Sequence, residues 1–161
     1  MSAQAILRIF IADDDDDDQM LLKEVFEEIA SGIQITPMSD GKQLMKHLSS
    51  GDLPDLILLD LNMPFKNGAE CLSEIRRDQQ LKYIPVVILS TSKHATDIEF
   101  CYTNGAQLFF TKPCSFKDLK TLVSSILSIN WKKFTTISSK ATYFQIASEG
   151  YFTELPNTGT N

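Results

Sequence analysis

Five short apolar runs, separated by segments whose apolar residues fall at helical spacing, constrain the fold of this chain more than any other feature. The runs are Ile6–Ala12, Ile33–Met38, Leu56–Leu59, Pro85–Leu89 and Leu108–Thr111. Near-continuous apolar strands are what a parallel sheet requires when helices cover both of its faces. After the first run, Leu21, Leu22, Val25, Phe26 and Ile29 mark a helix, with Gly32 expected as its C-cap. Leu44, Met45 and Leu48 mark a second helix, closed by Ser49-Ser50-Gly51. Asn67-Gly68-Ala69-Glu70 and Thr96-Asp97-Ile98-Glu99 have capping-box spacing and are expected to open the third and fourth helices. Ser115 is expected to cap a fifth, carrying Leu119, Leu122, Val123 and Ile126 on one face. Five β-α units in a row predict an α/β fold: a doubly wound, five-stranded parallel sheet with helices on both faces.

The strands end on chemistry. The first delivers Asp13 and Asp14, the third Asp60, the fourth Ser90 and the fifth Lys112. Open α/β sheets bind ligands outside the carboxyl ends of their strands. An acid pair, an acid, a hydroxyl and an amine gathered there read as a site for a divalent cation and a phosphoryl group. Each residue also has a plainer reading: an Asp after a strand is commonly a turn or cap residue, and Ser90 in the cluster Ser90-Thr91-Ser92 can simply satisfy loop backbone.

Composition narrows the class of function. The chain has 161 residues, one domain of ordinary size, and a net charge of −6 with no basic patch, which argues against nucleic acid as a partner. No apolar run approaches the roughly 18 residues of a membrane span, and no signal-peptide pattern opens the chain. Cys71, Cys101 and Cys114 are odd in number and lie in or beside apolar segments, as expected of reduced thiols in a cytoplasmic protein.

These residues together resemble the receiver domain of two-component response regulators, the CheY-like family. Asp60 lies 46 residues beyond Asp14, Ser90 lies 30 beyond Asp60, and Lys112-Pro113 follows 22 beyond Ser90. The resemblance implies the strand order 2-1-3-4-5 and a receiver domain over residues 5–130. It implies Asp60 as phosphoacceptor in a protein that is not otherwise an enzyme. It implies Mg²⁺ held by Asp13, Asp14, Asp60 and the backbone carbonyl of Asn62. Lys112 and Ser90 are then expected to contact the phosphoryl oxygens, with Ser90 preferred to Thr91, and Phe109 takes the place of the family's switch aromatic, though it also reads as plain core. A cis Lys112–Pro113 bond is compatible with the resemblance. The implied partners are a sensor histidine kinase or histidine phosphotransferase, and a downstream protein or a second copy meeting the face of the fourth helix, fifth strand and fifth helix. An electron carrier of flavodoxin type needs a hydroxyl- and glycine-rich loop after the first strand, where six aspartates would repel an anionic cofactor. A pseudo-receiver, an interaction module without phosphorylation, would lack part of the site, and no part is missing.

Two segments stay open at the level of sequence. In the run Asp13–Asp18, Asp16 to Asp18 read as cap and first-turn residues of the first helix, and the metal pair reads as Asp13 and Asp14, with a slip to Asp14 and Asp15 as the alternative. Excess negative charge there can raise cation affinity or push a neighbouring carboxyl upward. The extension 131–161 is Ser/Thr-rich, its last six residues read as disordered, and Trp131, Phe134, Tyr143, Phe144, Tyr151 and Phe152 stand out in it. Those aromatics either dock on the receiver, serve a partner, or sit in a loose tail.

Overall fold

The computed structural model describes residues 6–134 and 139–152. Five strands, β1 (Leu7–Ala12), β2 (Ile33–Met38), β3 (Leu56–Leu59), β4 (Val86–Ser90) and β5 (Leu108–Thr111), form one all-parallel sheet of order β2-β1-β3-β4-β5. The helices are α1 (Asp16–Ile29), α2 (Gly41–Ser49), α3 (Gly68–Arg77), α4 (Ala95–Thr103), α5 (Phe116–Leu127) and α6 (Lys140–Glu149). Every residue of β3 and β4 is buried, so these central strands have no solvent face and tolerate only apolar side chains until they end.

Local sequence explains most helix starts. Asn67 Oδ1 accepts from the Glu70 N–H at 2.9 Å, and Ser115 Oγ accepts from the Asp118 N–H at 3.1 Å, each satisfying a donor with no intrahelical partner. Two expectations fail. α4 opens two residues earlier than the Thr96 capping box places it: His94 stands at the N-cap position with no side-chain cap bond, Thr96 lies inside the helix, and the Ser92 hydroxyl donates to the Asp97 carboxylate at 2.5 Å. Gly32 does not cap α1: Ala30 takes the C-cap position, and Gly32, at φ 75°, turns the chain into β2 while its carbonyl accepts from Leu7 N.

The sixth helix was not legible in the sequence. α6 packs against β5 and α4 at the edge of the sheet, burying Tyr143, Ile146 and Ala147. The Tyr143 ring meets Tyr102 edge-on, Phe152 stacks near Phe110, and Thr111 Oγ1 donates to the Ala147 carbonyl. Trp131 and Phe134 are buried against each other, and the indole N–H donates to the Ile126 carbonyl at 3.0 Å. Tyr151 is exposed and Phe144 half-buried. The last six residues lie outside the described ones.

Candidate functional site

β1 and β3 are neighbours in register, Ala12 beside Leu59, so the residues that follow them emerge side by side at the carboxyl edge. Asp60 is buried, its N–H donating to Ala12 O at 2.9 Å, and its Oδ1 accepts from Asn62 N at 3.2 Å. Asp13 is likewise buried, with its Oδ1 accepting from Asp15 N at 3.0 Å. Asp14 is exposed at the rim. Carboxylate oxygens of Asp13, Asp14 and Asp60 lie within 4.8 Å of one another. Asp15 points elsewhere: it is the N-cap of α1, accepting from Asp17 N and Asp18 N, which leaves Asp13 and Asp14 as the pair beside Asp60.

Pairing β5 with β4 brings Lys112 to the same edge, its N–H donating to Ser90 O at 2.7 Å. Its ammonium lies 2.8 Å from Asp13 Oδ2, 2.9 Å from Asp18 Oδ2 and 3.3 Å from Asp60 Oδ2. The Lys112–Pro113 bond is trans, correcting the cis bond that the resemblance allowed; no cis peptide occurs among the described residues. Ser90 is fully buried, its Oγ accepting from Ser92 N at 3.2 Å, whereas Thr91 is exposed. Phe109 is fully buried in β5, next to Ile88 in register. A cleft of about 720 Å³, lined by Asp14, Asn62, Pro64, Thr96 and Phe100 among others, opens beside the acidic group.

The electrostatics follow from burial and one lysine. Burial pushes the Asp13 carboxyl up to about 6, against the pull of the Lys112 hydrogen bond, the Asp15 N–H and the Lys112 charge; Asp60 adds a smaller push. Burial, more than the surrounding aspartates, is therefore what raises it. For Lys112, burial alone would lower the ammonium, but hydrogen bonds to Asp13 and Asp18 and the charge of Asp60 outweigh burial and raise it. The two shifts pull opposite ways on one ion pair. Burial decides at Asp13, whose side chain is the more enclosed of the two. The carboxylates of Asp13, Asp14 and Asp60 outnumber the one ammonium at the site, and their oxygen-only donors suit a hard divalent cation.

Three residues of the site escaped the sequence reading. Gln19, buried on α1, donates to both Asp13 O and Met38 O at 2.6 Å and ties the helix to the ends of β1 and β2. Gly68 opens α3 against the segment carrying Asp60: a Cβ there would run into Asp60 O and lie 2.8 Å from Leu61 Cα. By sequence Asp18 reads only as a helix-start residue, yet it also reaches Lys112. The Asn67-Gly68 step at a capping box was the one available signal for Gly68; the other two depend on helix rotation.

Comparison with known proteins agrees with this geometry. The sequence profile of the response regulator receiver domain matches residues 9–124. The chain is 38% identical over 112 residues to a probable methanogenesis regulatory protein, FilR2, of Methanothrix harundinacea, covering 66% of this chain and 72% of that one. It is 35% identical over 123 residues to the response regulator Rcp1 of Synechocystis, covering 73% and 83% respectively. Among solved structures, the phosphorylated cyanobacterial phytochrome response regulator RcpA superposes with a TM-score of 0.74 at 35% identity, over 84% of this chain and all of that one. The Mn²⁺-bound form of Rcp1 gives 0.72 at 33% identity, over 82% and 99%. Fold, strand order and sequence together place this chain in the family of CheY-like response regulator receiver domains of two-component systems.

Proposed function

We propose that the chain receives a phosphoryl group on Asp60 from the phosphohistidine of a sensor histidine kinase or histidine phosphotransferase. The observation that carries this reading is the Asp60 carboxylate, buried at the end of β3, with Asp13 and Asp14 within 4.8 Å and the Lys112 ammonium 3.3 Å away. A carboxylate attacking a phosphoryl donor meets like charge, so the site must neutralise it. Asp13, Asp14, Asp60 and the Asn62 carbonyl are the residues to hold Mg²⁺. A divalent cation held there would supply the positive charge that offsets the repulsion between carboxylate and donor. An Asp60 oxygen forms the bond to phosphorus as the phosphorus–nitrogen bond to the donor imidazole breaks; its electron pair stays on that nitrogen, and the imidazole leaves neutral, keeping the proton its other ring nitrogen already carried. Lys112 contributes its charge to one phosphoryl oxygen and Ser90 donates its hydroxyl to another. The chain is thus a phosphoacceptor that assists its own modification rather than an enzyme acting on a substrate.

The reading includes a division of the chain into a receiver domain, residues 5–130, and an extension, residues 131–161. Signal passes to a downstream protein or a second copy through the α4–β5–α5 face, with Ser90 and Phe109 as the switch beneath it. α6 packs on β5 and α4, so that partner meets a surface which α6 shares. Nucleic acid has no part in it, given a net charge of −6. No helix among the described residues is long and apolar enough to cross a membrane; a phosphohistidine donor of this kind implies a cytoplasmic location. Incubation with Mg²⁺ and a small phosphodonor should add one acid-labile phosphoryl group to the chain, and none to the Asp60→Asn variant. Undiminished labelling of that variant would overturn the assignment.

A further inference from the structure

The six-aspartate run contains one residue whose position neither helix capping nor the phosphoacceptor site explains. Asp15 caps α1, and Asp13 and Asp14 face Asp60. Asp16 and Asp17 are exposed first-turn residues with no ion pair among the described residues. Asp18, in the same turn, reaches across to β5 and accepts from the Lys112 ammonium at 2.9 Å. An ammonium has three N–H donors, and here all three face carboxylates, those of Asp13, Asp18 and Asp60. Any phosphoryl oxygen that takes Lys112 must displace one of them.

We infer that Asp18 is a positioning residue that holds Lys112 on α1 and competes with the phosphoryl group for it. The inference rests on the reading of Asp60 as phosphoacceptor. Its physical basis is the difference in exposure between the three partners. The side chains of Asp13 and Asp60 are 4% and 6% exposed, whereas that of Asp18 is 42% exposed. Asp18 released from Lys112 returns to water at little cost, so its grip is weak and reversible. The same residue gives Lys112 a place to stay when a cation claims Asp13 and Asp60. Asp18 therefore favours the cation and opposes the phosphoryl group.

Those two effects have opposite signs, which separates them from a general loss of structure; lost charge alone would also weaken a cation and tighten an anion, so it must be matched in the comparison variant. The test compares Asp18→Asn with Asp17→Asn, which removes the same charge from the same turn without touching Lys112. Mg²⁺ alone should bind Asp18→Asn about two- to fivefold more weakly than Asp17→Asn, because Lys112 then leans on Asp13 and Asp60 alone. With Mg²⁺ saturating, beryllofluoride, which stands in for the phosphoryl group on Asp60, should bind Asp18→Asn more tightly than Asp17→Asn by a similar factor. Equal affinities of the two variants in both titrations, or a change of the same sign in both, would overturn the role of Asp18. A wild-type chain that binds neither probe would instead overturn the phosphoacceptor reading, and this inference with it.

Discussion

Asp13 is a buried carboxyl raised to about 6, and the consequence for stability has a definite sign. The unfolded chain releases that proton near pH 4, so between about 4 and about 6 the folded metal-free protein binds more protons than the unfolded one. Stability from this group is present at the acid end and is lost as pH rises through 6. Asp13→Asn should remove that slope and make the metal-free protein more stable at pH 7, by no more than about 3 kcal/mol. Urea denaturation across that range, with chelator present, checks it; an unchanged slope in the variant would assign the proton elsewhere. Gly68 is a second residue whose size decides an outcome. A methyl group there would run into the backbone of Asp60 and Leu61, which cannot turn aside as a side chain could. Gly68→Ala should cost about 1 to 3 kcal/mol and slow phosphodonor labelling, since the strain falls on the segment carrying Asp60. Normal labelling with normal stability would show that the loop yields freely.

The elements divide into those whose ends are set locally and those set by neighbours. Asn67 and Ser115 cap α3 and α5 through side chains three residues from their targets, and the sequence shows this directly. α4 shows how the rule fails: the helix starts at Ala95, so Thr96 falls inside it, and the Ser92 hydroxyl instead joins the His94 N–H to the Asp97 carboxylate. α6 had no such signal. Its Ser139 cap accepts from Thr142 N, but no acidic residue at that position completes a capping box, and its flanks are Ser/Thr-rich. What holds it is burial against β5 and α4, with one imperfection: the Tyr143 hydroxyl is buried and, among the described residues, without a hydrogen-bond partner. Leaving such a group unpaired costs about 1 to 3 kcal/mol. Tyr143→Phe should therefore stabilise the protein by about 1 kcal/mol, while Tyr143→Ala should cost about 3 to 5 kcal/mol. Chemical denaturation of both variants checks the pair; a loss of stability on Tyr143→Phe would mean that the hydroxyl is bonded in solution.

For the molecule as a whole, a cation at the proposed site would be linked to stability through the Asp13, Asp14 and Asp60 carboxylates. Mg²⁺ at about a hundred times its Kd should add about 2.7 kcal/mol, which raises Tm by about 5 to 10 °C for a chain of this size. Lys112→Ala leaves Asp13 and Asp60 buried with no ammonium beside them. Its metal-free stability should fall by about 3 kcal/mol, and Mg²⁺ should restore more to it than to the wild type. Calorimetry with Mg²⁺ and with chelator checks both. Equal Mg²⁺ stabilisation in the two proteins would show that the lysine and the cation do not answer the same charge.

By itself the sequence determined the alternation of strands and helices, and with it the sheet class, because periodicity and apolar runs are local properties. It also determined which side chains leave the strand ends: Asp13, Asp60, Ser90 and Lys112 follow from where each apolar run stops. The order of the strands came with the family resemblance, since pairing between β1 and β3 leaves no mark in either segment alone. Tertiary structure decided the remainder. The bond between Asp18 and Lys112 joins residues 94 apart and depends on the rotation of α1 over the sheet. The close approach of Gly68 to Asp60 depends on how α3 meets the end of β3. The docking of α6 depends on the apolar edge that β5 and α4 present together, which exists only after the sheet has formed. Contacts between distant segments are set by packing, and packing has no local signature.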